Sequence, residues 1–248
     1  MIAEKIKDCE IAYVKCYSKA TETLDFIRFV DGLIPDMYYH NYTWLKKADA
    51  GLINSEIARK ADFCMVHFHI PFDRNIIGEL THKPDVSVMG YYVFDTTQAF
   101  DAKNCHISKV DKAEMMDGLL YLDLGEDGAD LGEDFCRRRV ERRSKVYLAP
   151  GGVDSYLCYE NGEVIGKCDL LIHNHTAKIE DFVVDKKHQR KGFGTAILKN
   201  IIDIAVKAGA TTIYLATDED DTPKQMYQKL GFVKAHECTE FLFRFNEV

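Results

Sequence analysis

No apolar run in this chain approaches the roughly 20 residues that a membrane-spanning helix needs. The opening residues, MIAEKIKDCEIAYVK, lack the shape of a secretion leader, since charges interrupt them and no apolar stretch follows. No Cys-x-x-Cys pair occurs among the eight cysteines, Cys9, Cys16, Cys64, Cys105, Cys136, Cys158, Cys168 and Cys238. Without a leader, they read as reduced, mostly buried thiols of a cytoplasmic protein. An excess of positive charge is missing as well. The 32 Lys and Arg against 40 Asp and Glu leave a formal net charge of −8. That argues against nucleic acid as the main partner and favours cationic ligands. Internal repeats and low-complexity segments are absent too.

What remains is a soluble globular composition. Of 248 residues, 46% are apolar and 29% charged, enough for one large domain or two small ones. The histidines include two His-x-His pairs, His67/His69 and His173/His175. On a strand each pair would face one side, as metal ligands do. No Cys, Asp or Glu completes either set at a usual spacing, so no metal is expected, and the pairs read as polar residues on an exposed strand face or turn.

Along the first hundred residues helical and strand signals alternate. Residues 23–33 have helical spacing through Leu24, Ile27 and Val30, while 62–70 and 86–94 read as strands. Between them, IPDMYYHNYTWLK crowds Tyr38, Tyr39, Tyr42 and Trp44 together, as a core seam or as an aromatic wall for a ligand. The pattern restarts around 98–106. A short strand is expected over 105–110, then helices over 112–124 and 128–145 joined by an acidic loop, DLGEDGADLGED. A hairpin follows over Asn161-Gly162, a strong two-residue turn signal. Next come a strand over 177–185, a helix, a strand over 211–217, a short helix from about Pro223 and a last strand over 238–245. The plan is mixed α/β.

The stretch HQRKGFGTAILKN joins the strand ending at Asp185 to a helix with an apolar stripe of Phe193, Ile197, Ile201, Ile204 and Ala208. Two glycines, Gly192 and Gly194, sit where that helix begins, after Lys186, Lys187, Arg190 and Lys191. A helix start offers free N–H donors and a partial positive charge, a seat for phosphate. Removing side chains at 192 and 194 lets a pyrophosphate approach the main chain. A nucleotide P-loop would need Gly-x-x-x-x-Gly-Lys-Ser/Thr, which is absent. A dinucleotide fingerprint would need glycine or alanine where Ile197 stands.

Gln189-Arg190-Lys191-Gly192-Phe193-Gly194 resembles the Gln/Arg-x-x-Gly-x-Gly/Ala signature of the GNAT superfamily of acyl-CoA-dependent N-acyltransferases. The preceding strand, the following helix and the downstream MYQKLGFVK fall where that family has them, so the resemblance covers about residues 105–248. It implies the GNAT fold, acetyl-CoA as co-substrate and an amine acceptor. It also implies that the backbone of Gln189, Arg190, Lys191, Gly192, Phe193, Gly194 and Thr195 holds the pyrophosphate, and that Phe182, Val183 and Val184 pair with the pantetheine arm. Tyr227, in the place of the family's common tyrosine, is implied as the acid that protonates the leaving thiolate. Asp220 stands where many members carry a cofactor-touching asparagine, which puts that contact in doubt, and Pro223 stands where many carry alanine.

Transfer needs a neutral amine, and an alkyl amine has a pKa near that of lysine, about 10.4. Glu180 is the expected base, sharing strand parity with Phe182 and Val184 while Asp181 points the other way. The plain alternative is a surface carboxylate. The acidic loop, with Asp123, Glu126, Asp127, Asp130, Glu133 and Asp134, would draw a cationic amine to its rim. It would equally pair with Arg137, Arg138, Arg139, Arg142 and Arg143. Residues 1–104 lack paired glycines after a strand. They are expected to form a smaller cofactor-free α/β domain packed on the catalytic domain 105–248 and walling its acceptor cleft; a degenerate copy of the same fold is a second reading. The function expected is N-acetyl transfer from acetyl-CoA to a primary amine by direct attack. An acyl-CoA sensor or a protein-modifying subunit are the alternatives, and a homodimer is compatible with either.

Overall fold

The computed structural model describes residues 1–59, 62–95, 105–220 and 224–245. The restart expected at 98–106 lies mostly outside them, as does Pro223. Eleven strands form one mixed sheet: β1 (Lys19–Glu22), β2 (Phe26–Val30), β3 (Thr43–Leu45), β4 (Phe63–Phe68), β5 (Asp85–Phe94), β6 (His106–Lys109), β7 (Asp154–Glu160), β8 (Glu163–His173), β9 (Thr176–Val184), β10 (Thr212–Asp218) and β11 (Phe232–Arg244). Their order is β1-β2-β3-β4-β11-β5-β10-β9-β8-β7-β6. One sheet therefore takes strands from residues 19–94 and from 106–244. β5 pairs antiparallel with β10 on one side and with β11 on the other.

Six helices cover the sheet. α1 (Ile2–Lys15) buries Ile6, Cys9, Glu10, Tyr13 and Val14, one face at three- and four-residue spacing. It shares the front of the sheet with α3 (Met116–Leu131) and α4 (Glu133–Tyr147), where Leu119, Leu122, Val140 and Val146 join the same core. α5 (Phe193–Lys207) and α6 (Lys224–Lys229) cover the back, with Ile197, Leu198, Ile201 and Ile202 packed on Ile165, Ala177 and Ile213. α2 (Ala50–Ile57) packs on β4 and β11 through Ile53, Ile57, Val66, Phe241 and Phe243.

Two expectations fail for physical reasons. The segment expected as a helix over 23–33 is β2, because FIRFV is aromatic and β-branched and the Thr23 hydroxyl accepts from the amides of Asp25 and Phe26, turning the chain into the strand. The acidic loop is helical throughout. α3 continues to Leu131 and only Gly132, at φ 83° and ψ 155°, separates it from α4. Four of its six carboxylates pair with the arginines, while Glu126 and Asp130 are exposed. Asp123 accepts from Arg139 at 2.8 Å, Asp127 from Arg139 at 2.5 Å, Glu133 pairs with Arg137 at 2.6 Å and Asp134 with Arg138 at 2.7 Å. The hairpin holds as read: Asn161 at φ 51° and Gly162 at φ 83° supply the two left-handed positions of the tight turn. Among the described residues no disulfide joins the cysteines, and all but Cys16 and Cys105 are buried.

A bulge in β9 shapes the centre of the sheet. Lys167 opposes Val183 and Asp169 opposes Glu180, so Asp181 and Phe182 together face Cys168. Asp181 sits at φ 49°, a left-handed conformation that Asp tolerates better than most residues. Its carboxylate meets Lys167 Nζ at 2.5 Å and Arg143 Nη1 at 2.6 Å. Lys167 also binds the buried Asp123. Burial works to raise the Asp181 pKa, yet Arg143 and Lys167 hold it below the ordinary carboxylate value. Nearby, burial and then the Asp181 charge push Asp169 up to about 7, and Tyr147 donates to it at 2.5 Å. Asp181→Ala strands two buried cations. It is expected to cost about 3–5 kcal/mol in urea unfolding, whereas Arg137→Ala, at an exposed pair, costs less than about 1 kcal/mol.

Candidate active site

The parallel ladder between β9 and β10 runs from Thr176↔Thr212 to Ile179↔Leu215. Beyond Ile179, β9 passes through the bulge and β10 continues to Asp218, and among the described residues no further pair joins them. The two strands splay, leaving the β9 main chain of Glu180–Val184 free on the β10 side. This is an edge to which an extended arm can add as a strand.

The free edge leads into the glycine loop. The Gln189 amide donates to the Val184 carbonyl at 3.0 Å, tying the loop to the strand end. His188 Nδ1 lies 2.9 Å from Asp185 Oδ2. Arg190 has φ 61°, and Gly192, at φ 87° and ψ 0°, caps α5 in the left-handed region without any side-chain cap. The leading N–H groups of α5 at Phe193, Gly194 and Thr195 have no intrahelical acceptor and point outward. Lys187, Arg190 and Lys191 are exposed around them, while Lys186 turns its ammonium to the Gly125 carbonyl at 2.7 Å. A Cβ at Gly194 would stand 3.3 Å from Met226 Sδ and 3.4 Å from Phe182 Cζ. Its bareness therefore also lets β9, α5 and α6 approach one another. Uncapped amides, a left-handed glycine and exposed cations together fit a diphosphate.

Tyr227 lies on α6, buried, with its ring edge-on to Phe232 at 6.2 Å. It belongs to the apolar cluster against which Phe182, Val184, Phe193 and Met226 pack, so the expected acid and the expected cofactor edge come together. Asp220 is exposed in the loop after β10, its amide bonded to Asp218 Oδ1 at 2.8 Å.

Glu180 does not share a face with Phe182 as expected, although it stays on the face of Lys178. The bulge breaks the parity, so Phe182 faces α5 on the back, while both Glu180 and Asp181 turn to the front. Glu180 there pairs with Lys178 at 2.9 Å, and Lys178 with Glu10 of α1 at 2.7 Å. Burial works against the Lys178 charge, but Glu10 and Glu180 raise its pKa.

A second carboxylate escaped the sequence reading. Glu240 of β11 is buried on the front face and accepts from Tyr39 at 3.4 Å and Ser87 at 3.3 Å. Burial pushes it up to about 8, against those two hydrogen bonds. The only signal was faint: in CTEFLFR the apolar Cys238 and Leu242 share the face of Glu240. The Tyr39 hydroxyl pKa is raised by burial of the phenol oxygen and then by the charges of Glu240, Glu180 and Asp218. Of the aromatic segment, Tyr42 and Trp44 are core and Tyr39 is half exposed. The site thus combines a phosphate cradle, an open strand edge, a buried phenol and an acidic front. Such a set can seat a thioester and present an amine to it.

Comparison with known proteins bears on this geometry. The family model described as "Acetyltransferase (GNAT) family" matches residues 126–232. The chain is 30% identical over 133 residues to the uncharacterized N-acetyltransferase YvbK of Bacillus subtilis, covering 52% of this chain and 84% of YvbK. It is 31% identical over 113 residues to the uncharacterized N-acetyltransferase CgeE of the same organism, covering 44% of this chain and 43% of CgeE, less than half of that protein. A solved GCN5-related N-acetyltransferase from Kribbella flavida shares the fold at a TM-score of 0.69 and 12% identity, over 99% of this chain and 97% of that one. The chain belongs to the GNAT family of acetyltransferases and is an acyltransferase.

Proposed function

We propose that this enzyme moves the acetyl group of acetyl-CoA to the primary amine of a cationic small molecule by direct attack. The observation that carries the reading is the β9 edge, opened at Ile179 and ending on the uncapped amides of α5. In this reading the backbone of Gln189–Thr195 receives the pyrophosphate. The main chain of Phe182, Val183 and Val184 pairs with the pantetheine arm. One N–H of the same strand stabilises the oxyanion that develops on the thioester carbonyl.

The amine approaches from the front, where Glu180 and Asp218 give a negative field around Tyr39. Glu180 takes the amine's proton directly or through one water, its carboxylate oriented by Lys178. Tyr227 donates its phenolic proton to the departing thiolate, a group of similar basicity. Residues 1–104 contribute Glu10, Tyr39 and Ser87 to the acceptor wall, so the N-terminal part shapes specificity.

Three outcomes are expected. In a free-thiol release assay with acetyl-CoA, cationic amines turn over and anionic or neutral acceptors do not; release with no amine of the panel would point to a sensor or a protein-modifying subunit instead. Gly192→Val places a β-branched residue at φ 87° in the cradle and abolishes calorimetric binding of acetyl-CoA; unimpaired binding refutes the cradle. Tyr227→Phe lowers kcat about 10²–10⁴-fold with acetyl-CoA affinity nearly unchanged; equal loss of both contradicts its role as acid.

A further inference from the structure

The pair His67/His69 looked incomplete in sequence because no third ligand stands near it. Strand pairing supplies one from 169 residues further along the chain. β11 runs antiparallel beside β4 with Glu240 opposite His67 and Thr239 opposite Phe68, which brings Cys238 beside His69. One ligand atom from each of His67, His69 and Cys238 lies within 4.8 Å of the other two, and all three residues are buried.

The surroundings fix the imidazoles. Tyr42 stacks on His67 at 3.9 Å and 20°, and Trp44 stacks on His69 at 3.7 Å and 18°. His69 Nδ1 lies 3.1 Å from His236 Nε2, a partner that orients the ring and leaves the other nitrogen for a metal. His67 Nε2 is buried without a hydrogen-bond partner, 3.5 Å from Glu240 Oε1. An orphaned buried imidazole nitrogen beside a carboxylate and a thiol is costly in a plain core and ordinary in a metal site.

We propose that His67, His69 and Cys238 bind one zinc ion, which clasps β4 to β11. Two imidazoles and a thiolate suit zinc and disfavour magnesium or calcium, which take oxygen ligands. Ligand atoms around tetrahedral zinc lie roughly 3.3–3.8 Å apart, so binding draws the three together by about 1 Å. The fourth position is left for water. A cavity of about 580 Å³ lined in part by His69, His236, Phe72 and Lys234 gives the ion a way in. On binding, the Cys238 thiol releases its proton to solvent and its sulfur forms the bond to zinc, so affinity rises with pH. The site is separate from the acyl-transfer cradle, and its test does not depend on that reading.

The test uses the full chain, stripped with a chelator and titrated with Co²⁺ and then Zn²⁺. One equivalent of cobalt is expected, with the d–d bands of a tetrahedral site and a thiolate-to-cobalt charge-transfer band, and zinc displaces it. Cys238→Ser loses the charge-transfer band and binds at least about tenfold more weakly, whereas His173→Gln, in the other His-x-His pair, changes neither. A comparison needing no variant is the melting temperature of the stripped wild type with and without zinc, which rises with the ion. No cobalt binding, a charge-transfer band that survives in Cys238→Ser, or identical melting temperatures overturns the proposal.

Discussion

One carboxylate in an unfavourable backbone conformation governs this molecule. Asp181 stays left-handed because Lys167 and Arg143 hold its side chain, and both cations are themselves buried. The resulting bulge ends the pairing of β9 with β10 and frees the edge on which the proposed chemistry depends. The same twist of chain sends Glu180 to the front and Phe182 to the back, separating the acceptor side from the cofactor side. Arg143 comes from α4 and Asp123, the second partner of Lys167, from α3. The helices of the front are thus tied electrostatically to the opening in the sheet. A buried network of this kind is weak evidence for stability, since desolvation offsets most of the attraction; what it secures here is a specific backbone geometry.

Local signals made much of the catalytic half legible. The Asn161-Gly162 hairpin and the apolar stripe of α5 depend on neighbours within a few residues, and both appear as read except at Ala208, which is exposed beyond the helix end. The bulge was not legible, because alternation in KIEDFVVD continues smoothly through Asp181 and only the distant Lys167 and Arg143 break it. The helices α3 and α4 were expected, but the length of the loop between them was overestimated for a related reason. Acidic residues and glycines resemble a loop until the arginines one to four turns away are counted as partners. Glu240 and Cys238 escaped because a strand's inner face acquires meaning only when its neighbours are known, and those neighbours lie in residues 63–94.

The N-terminal part is more than an attachment to the acetyltransferase fold. β5 fills the position between β10 and β11, α1 supplies Glu10 to Lys178 and Tyr214, and Tyr39 and Ser87 reach Glu240. The front face is therefore built jointly by residues from both ends of the sequence. In the proposed reading, specificity for an acceptor can vary through the first hundred residues while the proposed phosphate cradle at 189–195 stays unaltered.

The insertion of β11 between β4 and β5 has a kinetic meaning. Both flanking strands emerge from the ribosome well over a hundred residues before the one that joins them, so for most of synthesis each presents an open hydrogen-bonding edge. Closing the sheet requires contacts of very long sequence separation, which slows the final step. A nascent chain of this protein is thus exposed to mispairing with other strands.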